Sequence, residues 1–167
     1  MARIIMSALQ VAGYLIATTT GLAMAQSIDP SFGGENTTIG NFIMLLGTTL
    51  IFATNLHHLA IAAIEGSYTL IPPGAALPTS DMAQLAIRLV SGAFALGLQL
   101  AAPFIVFGFV VSAAIGLLAR LMPLMQVFFV AMPINILAGF FLMMLLMGSI
   151  MTVFLNYFAT EMARFAG

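Results

Sequence analysis

Residues 89–119 read LVSGAFALGLQLAAPFIVFGFVVSAAIGLLA, a run that contains no charged side chain. A helix needs about 20 apolar residues to cross about 30 Å of hydrocarbon, so this run is more than long enough. Three further uncharged runs, at 4–28, 36–64 and 121–160, also exceed that length. The sequence therefore predicts an all-α integral membrane protein, built from about four long apolar helices arranged as helical hairpins.

The composition excludes several classes of protein. Hydrophobic residues make up 62% of the chain and charged residues only 5%, whereas about a quarter of a soluble domain is charged. The net charge is −1 and no basic patch is present, so nucleic acid is not expected as a partner. The absence of cysteine excludes disulfides, thiolate metal sites and cysteine nucleophiles. Four Lys and Arg residues are too few to set a membrane orientation.

The first half of the chain is expected to form a helix pair within residues 1–65. One helix runs from Ile4 to about Ala25, and the second occupies Phe42 to Ile64. Between them, Asp-Pro and Gly-Gly pairs predict a polar loop over 26–41. Residues 66–81 contain a cluster of prolines and are predicted to be a linker. All 167 residues are assigned to a single membrane domain.

The second half, residues 82–167, is expected to form another helix pair. Pro103 lies inside the first apolar segment and predicts a kink or a break there. Pro123 and Pro133 bound a short apolar stretch, so we expect helices over 89–118 and 134–158. A buried elbow would join them, because lipid cannot satisfy interrupted backbone. The elbow residues expected to act in assembly are Arg120, Pro123, Gln126, Phe128, Phe129, Met132 and Pro133.

Small residues recur at a spacing of four in two of these helices. The two stripes are Gly13, Ala17, Gly21, Ala25 and Gly108, Ser112, Gly116. Such spacing lets helix backbones approach closely in lipid. Glycine and alanine are also common in any membrane helix, so helix contact and ordinary composition both remain open.

The N-terminal segment also has the features of a secretory signal. Arg3 precedes an apolar run, and Ala23-Met24-Ala25 has the form of a cleavage site. Thr18 to Gly21 extend the segment to the length of a full membrane span, and three more apolar segments follow it. These features favour a membrane helix.

Asn55, His57 and His58 place polar groups inside the second apolar segment, where such groups are functional candidates. Adjacent histidines point about 100° apart on a helix, and no third ligand has a suitable spacing, so no metal or other cofactor is predicted. Hydrogen bonding between helices is the favoured role. The alternative function is a small-solute or ion transporter with a midplane site near His57 and Pro103. An intramembrane enzyme using these histidines and Glu65 lacks a nucleophile or metal constellation.

Several motifs follow one another in a characteristic order. They are Thr20-Gly-Leu-Ala-Met-Ala, Asp29-Pro30, Asn55-Leu-His-His-Leu, Leu70-Ile-Pro-Pro-Gly and Gln99-Leu-Ala-Ala-Pro103. The most specific is Gly116-Leu-Leu-Ala-Arg-Leu-Met-Pro123, which continues into Gln126-Val-Phe-Phe-Val-Ala-Met-Pro133. From about Gly13 to Thr152 the chain resembles the FliR family of type III export-gate proteins, which includes flagellar and injectisome members.

This resemblance implies a structural and gating subunit that is not an enzyme. The expected location is the bacterial inner membrane, as a multi-pass protein of the flagellar basal body. The expected partners are FliP-like, FliQ-like and FlhB-like subunits together with the unfolded flagellar proteins that they export. The C-terminal hairpin resembles FliQ, so its elbow would be buried against neighbouring subunits.

The family also has a loop associated with plugging the pore. Carried over by position, that plug comprises Ser27, Ile28, Asp29, Pro30, Ser31, Phe32, Gly33, Gly34 and Glu35. Two features depart from the family pattern. Members usually carry further apolar segments in front of the position of Gly13, so a fragment, a misplaced start and a reduced relative are all open. Members also commonly have a lysine where this chain has Asn135.

Overall fold

The computed structural model describes residues 2–23, 37–70, 79–121 and 127–166. Its helices are α1 Ala2–Thr19, α2 Thr38–Ala53, α3 Leu56–Leu70, α4 Thr79–Leu121 and α5 Val127–Ala166. No strand occurs within these ranges. The all-α class predicted from the sequence is therefore confirmed.

Three helical stretches are long and apolar enough to cross a membrane. They are α1, Met82–Leu121 of α4 and Ala131–Phe165 of α5. The pair formed by α2 and α3 meets the same test only as a broken span, bent by 82°. The described residues thus contain three helices that could span a membrane, or four spans if the bent pair forms one of them, in agreement with the predicted number.

The first helix lies at the centre of the structure, where it packs chiefly against α4 and α2. Its buried positions recur every three or four residues, which places them on one face of the helix. The fully buried members of that face are Ile5, Ala8, Leu9, Ala12 and Ile16. Phe104 of α4, Ile43 of α2 and Phe154 of α5 complete the same core. The apolar segment that has signal-like features is therefore a core helix.

Small residues set the closest helix crossings. A β-carbon added at Gly13 would overlap the Cα of Gly40, so the backbones of α1 and α2 touch at this point. A β-carbon at Gly108 would lie 3.0 Å from Cβ of Thr19. By contrast, Gly116 has nothing within 4 Å. Helix contact is thus found within this chain at Gly13 and Gly108, but not at Gly116.

The second apolar segment is two helices, and the prediction of one helix from Phe42 to Ile64 was wrong. Thr37 caps the start of α2, since its side-chain oxygen accepts a hydrogen bond of 3.0 Å from the N–H of Gly40. The break falls at Asn55, whose φ of 60° lies in the left-handed region. Asparagine enters this region more readily than most residues, because its short polar side chain can hydrogen-bond locally. The bend at this residue redirects the chain into α3.

Neither internal proline ends a helix. Of the kink or break expected at Pro103, the break is absent, since α4 runs continuously from Thr79 to Leu121. The expected helix start at residue 134 was also wrong, because α5 begins at Val127 and continues through Pro133. Both proline rings are exposed. Each ring removes one backbone hydrogen bond, but it does so on an outer face where it displaces no packed neighbour.

Candidate functional site

The predicted plug, Ser27 to Glu35, lies outside the described residues, but the structure defines the end of α1 from which it continues. Thr20 is fully buried, and its hydroxyl donates a hydrogen bond of 2.7 Å to the carbonyl of Ile16. Gly21 follows with a φ of 79°, a conformation that favours glycine and commonly terminates helices. The last turn of α1 is therefore well defined up to the point where the chain turns away.

Two glycines on neighbouring helices hold this turn in place. A β-carbon added at Gly139 of α5 would lie 2.6 Å from Cγ2 of Thr20, and Gly108 of α4 makes the equivalent approach to Thr19. The end of α1 therefore sits between α4 and α5, and any larger residue at either glycine would displace it. Gly139 was missed from the sequence, where its only signal was a small residue among bulky ones.

Asn135 lies beside this turn. A β-carbon added at Gly21 would lie 3.5 Å from Nδ2 of Asn135. The Oδ1 atom of Asn135 is buried and has no hydrogen-bond partner among the described residues. The same residue lines a groove of about 290 Å³ between α4 and α5, together with Val111, Leu118 and Ile134. The junction thus presents a neutral amide beside an apolar groove, with no charge at this position.

The described part of the elbow is exposed. Arg120 lies in the last turn of α4, where a cation complements the helix dipole. Met132 and Pro133 are exposed on α5. Phe128 and Phe129 belong to the first turn of α5 by backbone, whereas Pro123 and Gln126 lie outside the described residues. Arg120, Met132 and Pro133 are therefore available to a neighbouring molecule.

The polar residues of the second segment come together at the helix break. The ring centroids of Phe52 and His57 are 5.2 Å apart, and those of His57 and His58 are 4.2 Å apart. The Nδ1 atom of His57 is buried without a hydrogen-bond partner in the described chain, whereas Asn55 and His58 are exposed. Phe52, His57 and His58 form one aromatic and polar cluster at the bend.

The chemistry available to this cluster is limited. Within the described ranges, no group of three His, Asp or Glu side chains is placed to hold a metal ion. Glu65 is exposed further along α3. Pro103, the other residue of the alternative transporter site, is exposed on α4, which packs chiefly against α1, whereas α3 packs chiefly against α5. The described residues therefore do not join His57 and Pro103 into one site.

Comparison with known proteins identifies the family. A family model described as bacterial export proteins, family 1, matches residues 1–160. The flagellar biosynthetic protein FliR of Caulobacter vibrioides is 46% identical over 151 residues, covering 90% of this chain and 60% of that protein. The chain belongs to the FliR family. The resemblance seen in the sequence motifs is thereby confirmed.

Other FliR proteins match over similar shares of their length. FliR of Bacillus subtilis is 30% identical over 162 residues, covering 95% of this chain and 62% of the relative. FliR of Escherichia coli is 29% identical over 142 residues, covering 84% of this chain and 54% of that protein. This FliR-family chain thus spans less than two thirds of the length of these relatives. The matched region of the family model extends from α1 into α5, so it contains the end of α1, the helix break and the elbow.

Proposed function

We propose that this chain is a structural and gating subunit of the flagellar type III protein export channel in the bacterial inner membrane. It has no catalytic residues of its own and requires no cofactor. It assembles with FliP-like, FliQ-like and FlhB-like subunits, and the assembly passes unfolded flagellar proteins across the membrane. Membership of the FliR family supports this role, because the matched relatives are flagellar biosynthetic proteins.

The observation that carries the assembly role is the length of the exposed apolar face on α4. Large apolar side chains are exposed on α4 from Ile87 to Leu121. At about 1.5 Å per residue, this stretch is about 51 Å long, whereas the hydrocarbon layer is about 30 Å thick. Even at a tilt of about 40°, a bilayer covers only about 39 Å of a helix. Part of this face therefore requires a cover other than lipid, and neighbouring protein subunits would provide it.

The elbow supports the same conclusion. Leu121 is 69% exposed at the end of α4, and Met132 is 42% exposed near the start of α5. Interrupted backbone at membrane depth is tolerated only where protein or a watery cavity surrounds it. The elbow from Arg120 to Pro133 would meet this requirement as a buried contact with adjacent subunits.

Co-purification tests the assembly directly. We expect the chain expressed with its FliP-like, FliQ-like and FlhB-like partners to elute from a mild-detergent column in one large complex with them. Expressed alone, it should aggregate or elute with much bound detergent, because its apolar faces lack their protein cover. Recovery of a monodisperse single chain that ignores the co-expressed partners would contradict the proposal, and it would favour a self-contained transporter.

The gating role is assigned to the segment from Ser27 to Glu35. Its anchor supports this assignment, because the turn at Thr20 and Gly21 is held against Gly139 and Gly108. A segment that starts from a fixed point can return to one position after each substrate has passed. The glycines allow compact folding, and Phe32 can block a narrow passage by bulk alone.

Deletion of Ser27 to Glu35 is expected to make the membrane leaky to small solutes. The measurement is uptake of a small dye, or ion conductance, in cells that carry the complete set of export-gate subunits. Replacing Ala75, Ala76 and Leu77 of the linker with a Gly-Ser sequence is the matched control, and it should leave permeability unchanged. If the deletion assembles normally and permeability does not rise, these residues are not the plug.

A further inference from the structure

The outer face of α5 changes character along its length. In its first half, the exposed residues are large and apolar, namely Met132, Ile134, Leu137, Phe140, Phe141, Met144 and Leu145. In its second half, most exposed residues are small or polar, among them Gly148, Ser149, Thr152, Asn156 and Thr160. The spacing of three or four residues places this second set on one side of the helix. Val153, at 38% exposure, is the one large apolar residue exposed between Gly148 and Phe165. We call Ser149, Thr152, Asn156 and Thr160 the polar stripe.

This change is not explained by α5 simply leaving the membrane. A β-carbon added at Gly92 would overlap the Tyr157 hydroxyl, so this part of α5 lies level with the early part of α4. At that level one face of α4 exposes Val90 and Phe94, each at 56%, while Arg88 and Ser91 are exposed on a different face of the same helix. One side of the molecule is therefore apolar and another is polar at the same depth.

Lipid is an unsuitable neighbour for the polar stripe. The side-chain amide of Asn156 is exposed, and hydrocarbon offers it no hydrogen-bond partner. Thr152 donates to the carbonyl of Gly148 and Thr160 to that of Asn156, each at 2.8 Å. Their donors are thus satisfied internally, and the remaining lone pairs face outward. Water, or a hydrated polypeptide, supplies the donors that such a surface accepts.

The stripe also carries no formal charge. Residues 148–160 contain no Asp, Glu, Lys or Arg. The nearest charge, Glu161, is paired with Arg164 at 3.0 Å. A neutral surface that mainly accepts hydrogen bonds neither attracts nor repels charged segments strongly. Such a surface also has no charged group that would bind one polypeptide sequence more tightly than another.

We propose that the polar stripe of α5 lines the water-filled passage and contacts unfolded polypeptide in transit. This inference rests on the proposed export function and adds to it a specific wall of the channel. The lone pairs of Thr152 and Thr160 accept hydrogen bonds from water or from the backbone of a passing chain. The free amide of Asn156 both donates and accepts. Val90 and Phe94, at the same depth, face lipid or neighbouring subunits.

Thiol labelling tests this placement, and the chain contains no cysteine of its own. Thr152→Cys and Asn156→Cys probe the stripe, while Val90→Cys and Phe94→Cys are matched controls at the same level. Assembled complexes in membrane vesicles are treated with a charged, membrane-impermeant maleimide. Because the hydrated thiolate is the reactive form, we expect the stripe variants to react on the order of tenfold faster than the controls. Stalling an export substrate in the channel should reduce labelling at the stripe and leave the controls unchanged.

The outcomes separate this inference from the export function. A chain that does not co-purify with its partners overturns the proposed function itself. Two results in assembled complexes overturn the assignment of the stripe alone. In the first, the stripe variants and the control variants are labelled equally slowly. In the second, the stripe variants are labelled fast, but a stalled substrate does not reduce that labelling. Cross-linking of the stalled substrate to a photoreactive residue at Thr152, but not at Val90, supports the passage directly.

Discussion

Replacement of Gly13 by alanine is expected to separate α1 from α2 and to destabilise the protein. The added β-carbon would overlap the backbone of Gly40, which cannot move aside as a flexible side chain could. Overpacking a well-filled contact costs about 1–3 kcal/mol. We expect the upper part of this range, because α1 supplies much of the core and must shift as a whole. A lower midpoint of thermal unfolding in detergent, followed by circular dichroism, is the measurement.

Gly116→Ala is the matched control for this experiment. Gly116 is also a helical glycine of a small-residue stripe, but nothing lies within 4 Å of an added β-carbon there. Alanine is favoured over glycine in a helix by about 1 kcal/mol, so this variant should be unchanged or slightly more stable. If the two variants unfold at the same temperature, the contact between Gly13 and Gly40 does not hold α1 against α2.

Gly13 and Gly116 show which part of helix packing can be predicted from the sequence and which part cannot. The four-residue spacing identified both stripes, because small residues at that spacing are a local property of a helix. Which stripe meets another helix depends on long-range packing, which spacing does not encode. Gly40, the partner of Gly13, lies 27 residues further along the chain, in α2. Gly139, which meets Thr20, has no small residue four positions before or after it and belongs to no stripe.

Whether a helix continues or breaks at a given residue could be predicted only in part from local sequence rules. Length and hydropathy predicted the membrane helices, since those depend on composition alone. No helix breaks at Pro103 or Pro133, because each ring lies on an exposed face and the surrounding helix tolerates one missing hydrogen bond. The break that does occur is at Asn55, which the sequence marked only as polar. Its left-handed conformation is available to asparagine but not required by it.

For the candidate functional residues, sequence motifs predicted positions but not the surroundings that give those positions a role. Motifs placed the chain in its family and predicted the plug, the elbow and the histidine pair by position. The polar stripe of α5 was not recognised, since serine, threonine and asparagine at helical spacing are unremarkable in an apolar sequence. The stripe stands out only in the structure, where the exposed apolar residues Val90 and Phe94 of α4 lie at the same depth. The roles of plug and elbow depend on neighbouring subunits, which one sequence does not contain.

Substitutions at Asn55 are expected to control the angle between α2 and α3. Glycine enters the left-handed region freely, so Asn55→Gly should retain the 82° bend. For most other residues that conformation costs about 1–2 kcal/mol, and valine is β-branched, so Asn55→Val should favour a straight helix. Spin labels on cysteines introduced at Phe42 and Tyr68, both exposed, report the angle as a distance. At about 1.5 Å per residue, the helix axes place these positions about 29 Å apart when bent and about 39 Å apart when straight.

The comparison between the two variants identifies what enforces the bend. A short distance in Asn55→Gly, with a new long-distance population in Asn55→Val, means that the backbone preference of residue 55 sets the angle. α3 also packs against α5 through the core that contains Ala63 and Met162. If both variants give the same short distance, that packing alone holds α3 in place and the conformation of Asn55 is only its consequence. Since the cluster of Phe52, His57 and His58 exists only at the bend, a straightened variant should also lose the close approach of Phe52 to His57.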